Sequence, residues 1–279
     1  MREIDASVIT ETVEKLCMDA NYFLCDDVYK ALTDAAKIEE GLAAEALNTL
    51  VENADYAKSD QVAMCQDTGM AVVFVDVGQE VMVKGVAISN AINEGVRRGY
   101  EKGYLRKSVV QDPIRRINTK DNTPAVIHYD MVSGDTIKIT VAPKGFGSEN
   151  MSGLKMLQPS DGLEAAMDFV VDIVKNGGQN ACPPLVVGVG IGGTMEKAAL
   201  LAKKSLLRPV GERNSDPFWQ DVEIRLKERI NALGIGPAGY GGNTTALCVN
   251  VELYPTHIAG LPIAVNLCCH ASRHAEAIL

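Results

Sequence analysis

Chemistry in this chain of 279 residues would have to come from its cysteines and a few polar turns. Three cysteine-bearing segments stand where the residue pattern changes. Cys65-Gln66-Asp67-Thr68-Gly69 comes just before an apolar run, Cys182-Pro183-Pro184 lies between a helical pattern and a strand pattern, and Cys268-Cys269-His270 ends a C-terminal strand pattern. Turns and strand ends hold side chains at the surface on a rigid scaffold, which is where sites form. The two prolines after Cys182 fix the backbone and with it the direction of the thiol. Cys17 and Cys248 lie inside a helix pattern and a strand pattern and read as core, and Cys25 carries no signal of its own. For any one cysteine alone the commoner reading is an inert buried thiol. Three thiolates drawn from distant positions would suit an iron–sulfur cluster, whose irons select soft ligands. A four-iron cluster held by three cysteines keeps one iron open as a Lewis acid for a substrate hydroxyl or carboxylate.

Other residues fit an anionic ligand. Arg106 follows Gly103-Tyr104-Leu105, and Arg115 and Arg116 lie further on; a guanidinium reads a carboxylate with two parallel hydrogen bonds, although most arginines are solvated surface groups. Lys144-Gly145-Phe146-Gly147-Ser148-Glu149-Asn150 could present backbone N–H groups to an anion. His257 stands in Pro255-Thr256-His257-Ile258-Ala259-Gly260, one of only 4 histidines, and by itself reads slightly more as a satisfied buried imidazole than as a site residue; His270 and His274 read equally as surface residues. Gly188-Val189-Gly190-Ile191-Gly192-Gly193 matches the G-x-G-x-x-G fingerprint of dinucleotide binding. No second strand ending in an acidic residue follows about twenty positions later, so the segment reads as a tight strand-to-helix turn able to hold an anion.

The elements that must position these residues alternate between helix and strand. From Ile4 to Ala57 apolar residues recur at helical spacing, as in Val8, Thr12, Leu16 and Ala20. Met70 to Val77 reads as a strand closed by Gly78, and Val86 to Arg98 as a helix. Val126–Tyr129 and Thr136–Val141, joined through Ser133-Gly134-Asp135, read as a β-hairpin. Asp161 to Lys175 reads as a helix, with Asp161 and Glu164 as its capping box and Asn176-Gly177-Gly178 as a left-handed end. Leu185–Val189, Ala246–Leu253 and Ile263–Leu267 read as strands, and Thr194–Leu207 and Val222–Leu233 as helices. The expected class is mixed α/β, with a helical layer over residues 1–60 packed on a mixed sheet within residues 61–279, and no long linker or repeat.

Composition narrows the function further. The net charge of −9 leaves no basic surplus for a nucleic-acid partner. With 47% hydrophobic and 23% charged residues the chain can bury a core, and with 5% aromatics that core must be aliphatic. The charged start Met1-Arg2-Glu3-Ile4-Asp5 lacks a signal-peptide core, and no apolar run nears the ~20 residues of a membrane span. These features predict a cytoplasmic chain whose cysteines are thiols or ligands, not disulfides.

Taken together, CQDTG at Cys65, GYLRKSVVQDP around Arg106, NTKDNTPAVIH at Asn118, KGFGSENMSGLKML at Lys144, CPPLVVGVGIGGTMEKAALLAKKSLLR at Cys182, GIGPAGYGGNTTA at Gly234 and PTHIAGLP with CCH after it cover nearly the whole chain. The series resembles the α subunit of class I fumarate hydratases, an architecture shared with L(+)-tartrate dehydratase. The resemblance implies a single iron–sulfur hydro-lyase α domain over residues 1–279 and an oxygen-sensitive [4Fe–4S] cluster. By motif position, Cys65, Cys182 and Cys269 look like its ligands, with Cys269 chosen over Cys268 because it directly precedes His-Ala-Ser-Arg. Gln66, Asp67, Arg106 and Gly147 look like substrate contacts, Asp67 also in proton transfer, although Phe146 replaces the usual glycine before Gly147. His257 resembles the active-site histidine near the cluster, and the glycine-rich segment becomes a family turn. The resemblance implies a small dicarboxylate substrate, fumarate hydrated to (S)-malate, with L-tartrate as the alternative. The chain stops at Leu279, so the carboxylate-binding second half is expected from a separate β subunit, with pairs assembling into an oligomer. A reading of another class is a nucleotide-binding or iron–sulfur sensory module without catalysis.

Overall fold

The computed structural model describes all residues from Met1 to Leu279. In chain order the elements are β1 (Arg2–Asp5), α1 (Ala6–Tyr22), α2 (Asp26–Ala36), α3 (Gly41–Asp60), β2 (Met70–Gly78), β3 (Val81–Lys84), α4 (Ile88–Lys102), β4 (Val126–Val132), β5 (Ile137–Lys144), α5 (Phe146–Glu149), β6 (Gly153–Leu157), α6 (Gly162–Gly177), β7 (Leu185–Gly192), α7 (Met195–Lys204), α8 (Pro217–Asn231), β8 (Ala246–Tyr254), β9 (Leu261–Cys268) and β10 (Ala275–Ile278). The expected mixture of helix and sheet is what the chain forms. It divides into two compact units, the first comprising Met1–Leu24, Ala54–Phe146 and Arg273–Leu279, the second Cys25–Asn53 and Gly147–Ser272. No helix is long and apolar enough to cross a membrane.

The first unit is built on a four-stranded sheet in the order β10-β5-β2-β4, with β2 parallel to β4 and antiparallel to β5. The hairpin expected of Val126–Tyr129 and Thr136–Val141 therefore does not form, because β2 inserts between its arms. β2 carries the most apolar stretch of this unit, and it pairs on both edges from Val72 to Val77 while burying Ala71 to Val75. The connection through Gly134 caps the end of β2, where Gly78 N donates to Thr136 O at 2.8 Å and Glu80 N to Gly134 O at 3.0 Å. A Cβ on Gly78 would stand 2.4 Å from Gly134 O, so only glycine fits there. α1 begins at Asp5, whose carboxylate accepts from Ser7 N at 2.8 Å. Its apolar face (Ile9, Val13, Leu16) shares an aliphatic core with Val73 and Val75 of β2, Ile92 and Val96 of α4, and Ile137 and Ile139 of β5.

The second unit holds a sheet ordered β6-β9-β7-β8, with β7 parallel to β8 and antiparallel to β9. All eight residues of β7 are buried. This corrects the reading of the G-x-G-x-x-G segment: Gly188, Gly190 and Gly192 are strand residues, not a turn that could cradle an anion. A Cβ on Gly188 would lie 2.2 Å from Ala202 O, and one on Gly190 2.1 Å from Ala198 O. The glycines let α7 lie directly on the strand, its Ala198 and Ala202 fully buried with Ala264 of β9. On the sheet's other face Val187 and Val189 join Met167, Val170 and Val174 of α6 and Leu226 and Ile230 of α8.

Both expected ends of α6 are corrected. The reciprocal capping bonds form one turn earlier, between Gln158 and Asp161, with Gln158 N donating to Asp161 Oδ2 at 2.9 Å. Asp161 is thereby already in helical conformation and makes no side-chain cap on α6. Gly178, with φ −58°, continues the helical path into a 3-10 turn instead of ending it. A Cβ there would sit 3.0 Å from Val174 Cγ1 and 3.3 Å from Ile235 Cδ1, so a side chain would have to displace those methyl groups by a few tenths of an ångström. The left-handed residue comes four positions later and is Cys182, with φ 55° and ψ 67°.

Candidate active site

Within the first unit, the Cys65–Gly69 turn links α3 to β2 and is clamped from several sides. Asp67 accepts from Gly69 N through Oδ1 at 3.0 Å and from Phe146 N through Oδ2 at 2.9 Å. Both carboxylate oxygens are thus oriented by backbone donors, each keeping lone pairs for another partner. The approach depends on Gly145, where a Cβ would come 3.2 Å from Asp67 Oδ2. The backbone of Asp67 is held by Arg273, whose Nη2 donates to Asp67 O at 2.7 Å. Gly69 has φ +75° and faces the backbone of Pro143 and Lys144, with room for no side chain. Thr68 is buried and its hydroxyl donates to Arg106 O at 3.1 Å, fastening the backbone of the arginine segment to the turn. Arg106, like Gln66, presents an exposed side chain, and Cys65 and Asp67 are half-buried.

Three further residues complete this clamp, and the sequence reading passed over all of them as single positions. The Tyr100 hydroxyl donates to Thr68 O at 2.8 Å and lies 3.1 Å from Gly69 O. Burial, with the Cys17 thiol beside it, pushes that phenol well above its ordinary value, so it stays a donor. Asn122 is fully buried with φ +64°; its amide donates to Gly69 O at 3.2 Å, and its oxygen accepts from Ser108 N at 2.7 Å and Val109 N at 3.2 Å. Arg273 is the third. Asn122 and Arg273 fall inside strings quoted for the resemblance, but no local pattern marks a buried polar residue whose partners are 13 to 206 positions away.

In the second unit the structure brings Cys182 together with the Cys268-Cys269-His270 segment. His270 N donates to Cys182 O at 3.2 Å, and His270 Nδ1 lies 3.1 Å from the same oxygen. Cys268 is the last residue of β9, opposite Val186, and is buried with Val186, Leu206 and Cys248. Side chains alternate along a strand, so Cys268 is committed to that apolar cluster, while Cys269 is half-buried and Cys182 exposed. All seven cysteines are free thiols. Burial drives the Cys17 thiol far above its ordinary value and pushes Cys248 up to about 12, which favours the protonated thiol at both.

His257 lies elsewhere in this unit, in the turn before β9. Its Nδ1 accepts from Ala259 N at 3.2 Å, and the neighbouring Thr256 hydroxyl donates to Gly193 O at 2.9 Å. It lines a cleft of about 440 Å³ with Thr194, Lys197 and Tyr254. The eight residues of β9 lie between His257 and Cys269 along the chain, about 26 Å of strand at about 3.3 Å per residue. Gly147 is the second residue of the one-turn helix α5, with open space around its Cα.

A family model described as fumarate hydratase (fumerase) matches residues 10–278. The putative L(+)-tartrate dehydratase subunit alpha of Methanocaldococcus jannaschii is 42% identical over 274 residues, covering 96% of both chains. The L(+)-tartrate dehydratase subunit alpha of Escherichia coli strain UTI89 is 33% identical over 270 residues, covering 95% of this chain and 88% of the relative. That of strain K12 is 31% identical over 276 residues.

Proposed function

This chain belongs to the fumarate hydratase family, and from that membership we propose that it is the cluster-bearing α subunit of a two-subunit cytoplasmic [4Fe–4S] hydro-lyase that interconverts fumarate and (S)-malate. The observation that carries the reading is the clamped Asp67: a carboxylate aimed by two backbone N–H groups, two residues after a half-buried thiol and tied through Thr68 to the Arg106 segment.

The donors are of the type a cluster selects, although no group of three or more histidine, cysteine or carboxylate side chains stands close enough in this structure to hold a metal ion. Cys65, Cys182 and Cys269 all stand at turns and reach the surface, whereas Cys17, Cys248 and Cys268 are buried among apolar groups. Cys65, Cys182 and Cys269 would hold it, the alternation of β9 favouring Cys269 over its neighbour. When bound, a cluster with three cysteine ligands supplies an iron that the protein does not ligate, a Lewis acid for substrate oxygens.

The chain's own residues divide the remaining work. The Arg106 guanidinium pairs with a substrate carboxylate, and the charge it brings offsets the dianion that develops as the C3 proton leaves malate. Gln66 and the backbone N–H of Gly147 add neutral hydrogen bonds that orient the substrate. Asp67 takes part in the proton transfer through the lone pairs its backbone donors leave open. A β subunit would contribute the remaining cations and a hydroxyl coupled to Asp67. His257 takes the role of the active-site histidine that the resemblance implies.

A second reading, L(+)-tartrate dehydratase, keeps the same chemistry with one more substrate hydroxyl and is favoured by the names the relatives carry. Co-expression with a β subunit, anaerobic iron and sulfide analysis, and kcat/KM on fumarate and L-tartrate test both. The first reading expects higher kcat/KM on fumarate, and the reverse order selects the second. Cys65→Ser, Cys182→Ser and Cys269→Ser are expected to lose iron, with Cys268→Ser retaining it. Full iron content in the first three would refute the ligand set.

A further inference from the structure

The second unit contains a cavity of about 530 Å³ that none of the cluster or substrate residues lines. Its apolar lining includes Ala31, Ala35 and Ile38 around α2 and Leu247 of β8. Its cationic lining includes Lys227 of α8 and Arg213 of the preceding loop. Lys227 is half-buried, and neither cation has a carboxylate within salt-bridge distance. The two carboxylates that also line the cavity are otherwise engaged: Asp27 accepts from Val210 N at 2.6 Å, and Asp34 takes Lys30 and Lys37 at 2.5 and 2.8 Å. Burial first, and then the Arg213 charge, lowers the Lys227 ammonium from its ordinary value. Two like charges facing one partly dry cavity repel, and an anion bound between them would remove that cost.

We propose that this cavity binds a small organic monocarboxylate, its head between Lys227 and Arg213 and its apolar body along α2 and Leu247. The size is that of a small-molecule site, and the combination of apolar walls with a few convergent polar groups is what such sites share. The lining's charge selects the head. Lys30, Arg213 and Lys227 against Asp27 and Asp34 leave one net positive charge, which a single carboxylate balances and a phosphate monoester exceeds. Thr244 and Asn243 at the cavity add hydroxyl and amide groups within the same lining. The site is independent of the hydro-lyase reading and needs neither cluster nor β subunit.

Calorimetric titration of the full chain with hexanoate, acetate, hexanol and hexyl phosphate tests it. Hexanoate is expected to bind at least about tenfold more tightly than acetate, which lacks the body, and than hexanol, which lacks the charge. Lys227→Met and Arg213→Gln are each expected to weaken hexanoate about tenfold, while Lys30→Met at the mouth changes it less than about twofold. A measurement without substitution accompanies these: with lysines carrying ¹³C-methyl labels, hexanoate should move the Lys227 resonance in a saturable way. Absence of saturable hexanoate binding, an unchanged Lys227 resonance, or unchanged affinity in a folded Lys227→Met chain would overturn the site. Tighter binding of hexyl phosphate than of hexanoate would overturn the monocarboxylate assignment.

Discussion

Gly190→Ala puts the packing of α7 on β7 to a direct test. The added Cβ would fall 2.1 Å from Ala198 O, 2.6 Å from Ala202 N and 2.8 Å from Leu201 Cβ. An ordinary contact needs about 3.4 Å, so the helix must lift by roughly 1.3 Å along that line. Two of the obstacles are backbone atoms of a helix, and no rotamer change relieves them. Lifting α7 also opens the sealed contact among Ala198, Ala202 and Ala264, which are all buried. Overpacking of a close-packed core costs about 1–3 kcal/mol, and an obstacle made of backbone places this variant at about 3 kcal/mol. At about 2–4 °C per kcal/mol for a chain of this size, the apparent Tm should fall by roughly 6–12 °C. Differential scanning calorimetry of both chains, with NAD titrated into each, provides the assay. A Tm within about 2 °C of the parent would refute the packing argument, and saturable NAD binding lost in the variant would restore the dinucleotide reading that the strand geometry rejects.

Asn122→Ala removes three hydrogen bonds from a fully buried side chain and strands the buried Val109 N, while Gly69 O keeps the Tyr100 hydroxyl and the exposed Ser108 N can reach water. At about 1–3 kcal/mol for an unsatisfied buried group, a loss of about 1–3 kcal/mol is expected in urea denaturation; a loss below about 0.5 kcal/mol would mean that Asn122 does not tie the Arg106 segment to the Asp67 turn. Thiol alkylation of the native chain at pH 8, read residue by residue in a mass spectrometer, should modify Cys182 rapidly and leave Cys17 and Cys248 protected, since one thiol is exposed and burial keeps the other two protonated. Equal labelling rates would contradict that ordering. Glu94 is held near 2 by hydrogen bonds from Arg97 and Arg98, with their charges adding to the effect. Because its folded value lies below the ordinary 4.5, the stabilisation it brings is complete above pH 4.5 and disappears as pH falls through about 2. A carboxyl ¹³C titration midpoint near 4.5 would show the pairing to be absent in solution.

The periodicity of apolar residues determined most of the elements on its own, because helix and strand patterns are local. β2, β7, β8, β9 and α4 appear close to where Met70, Leu185, Ala246, Ile263 and Val86 predicted their starts. Local spacing also marked the Cys65–Gly69 and Cys182–Pro184 turns as site-like and set Cys17 and Cys248 in the core. Partner choice belonged to the tertiary structure. Nothing between Val126 and Val141 announces that β2, fifty residues upstream, will separate β4 from β5, since an unpaired strand edge can be satisfied by any complementary strand. Gly188 and Gly190 look alike in a phosphate loop and in a strand pressed by a helix, and only the approach of α7 distinguishes the two. The capping bonds that moved from Asp161–Glu164 to Gln158–Asp161 and the left-handed residue that moved from Gly178 to Cys182 follow from packing around α6, not from its composition. The same holds at the site. The sequence supplied Asp67 and Arg106, but their fixing by Tyr100, Asn122 and Arg273 follows from contacts that exist only once the chain has folded.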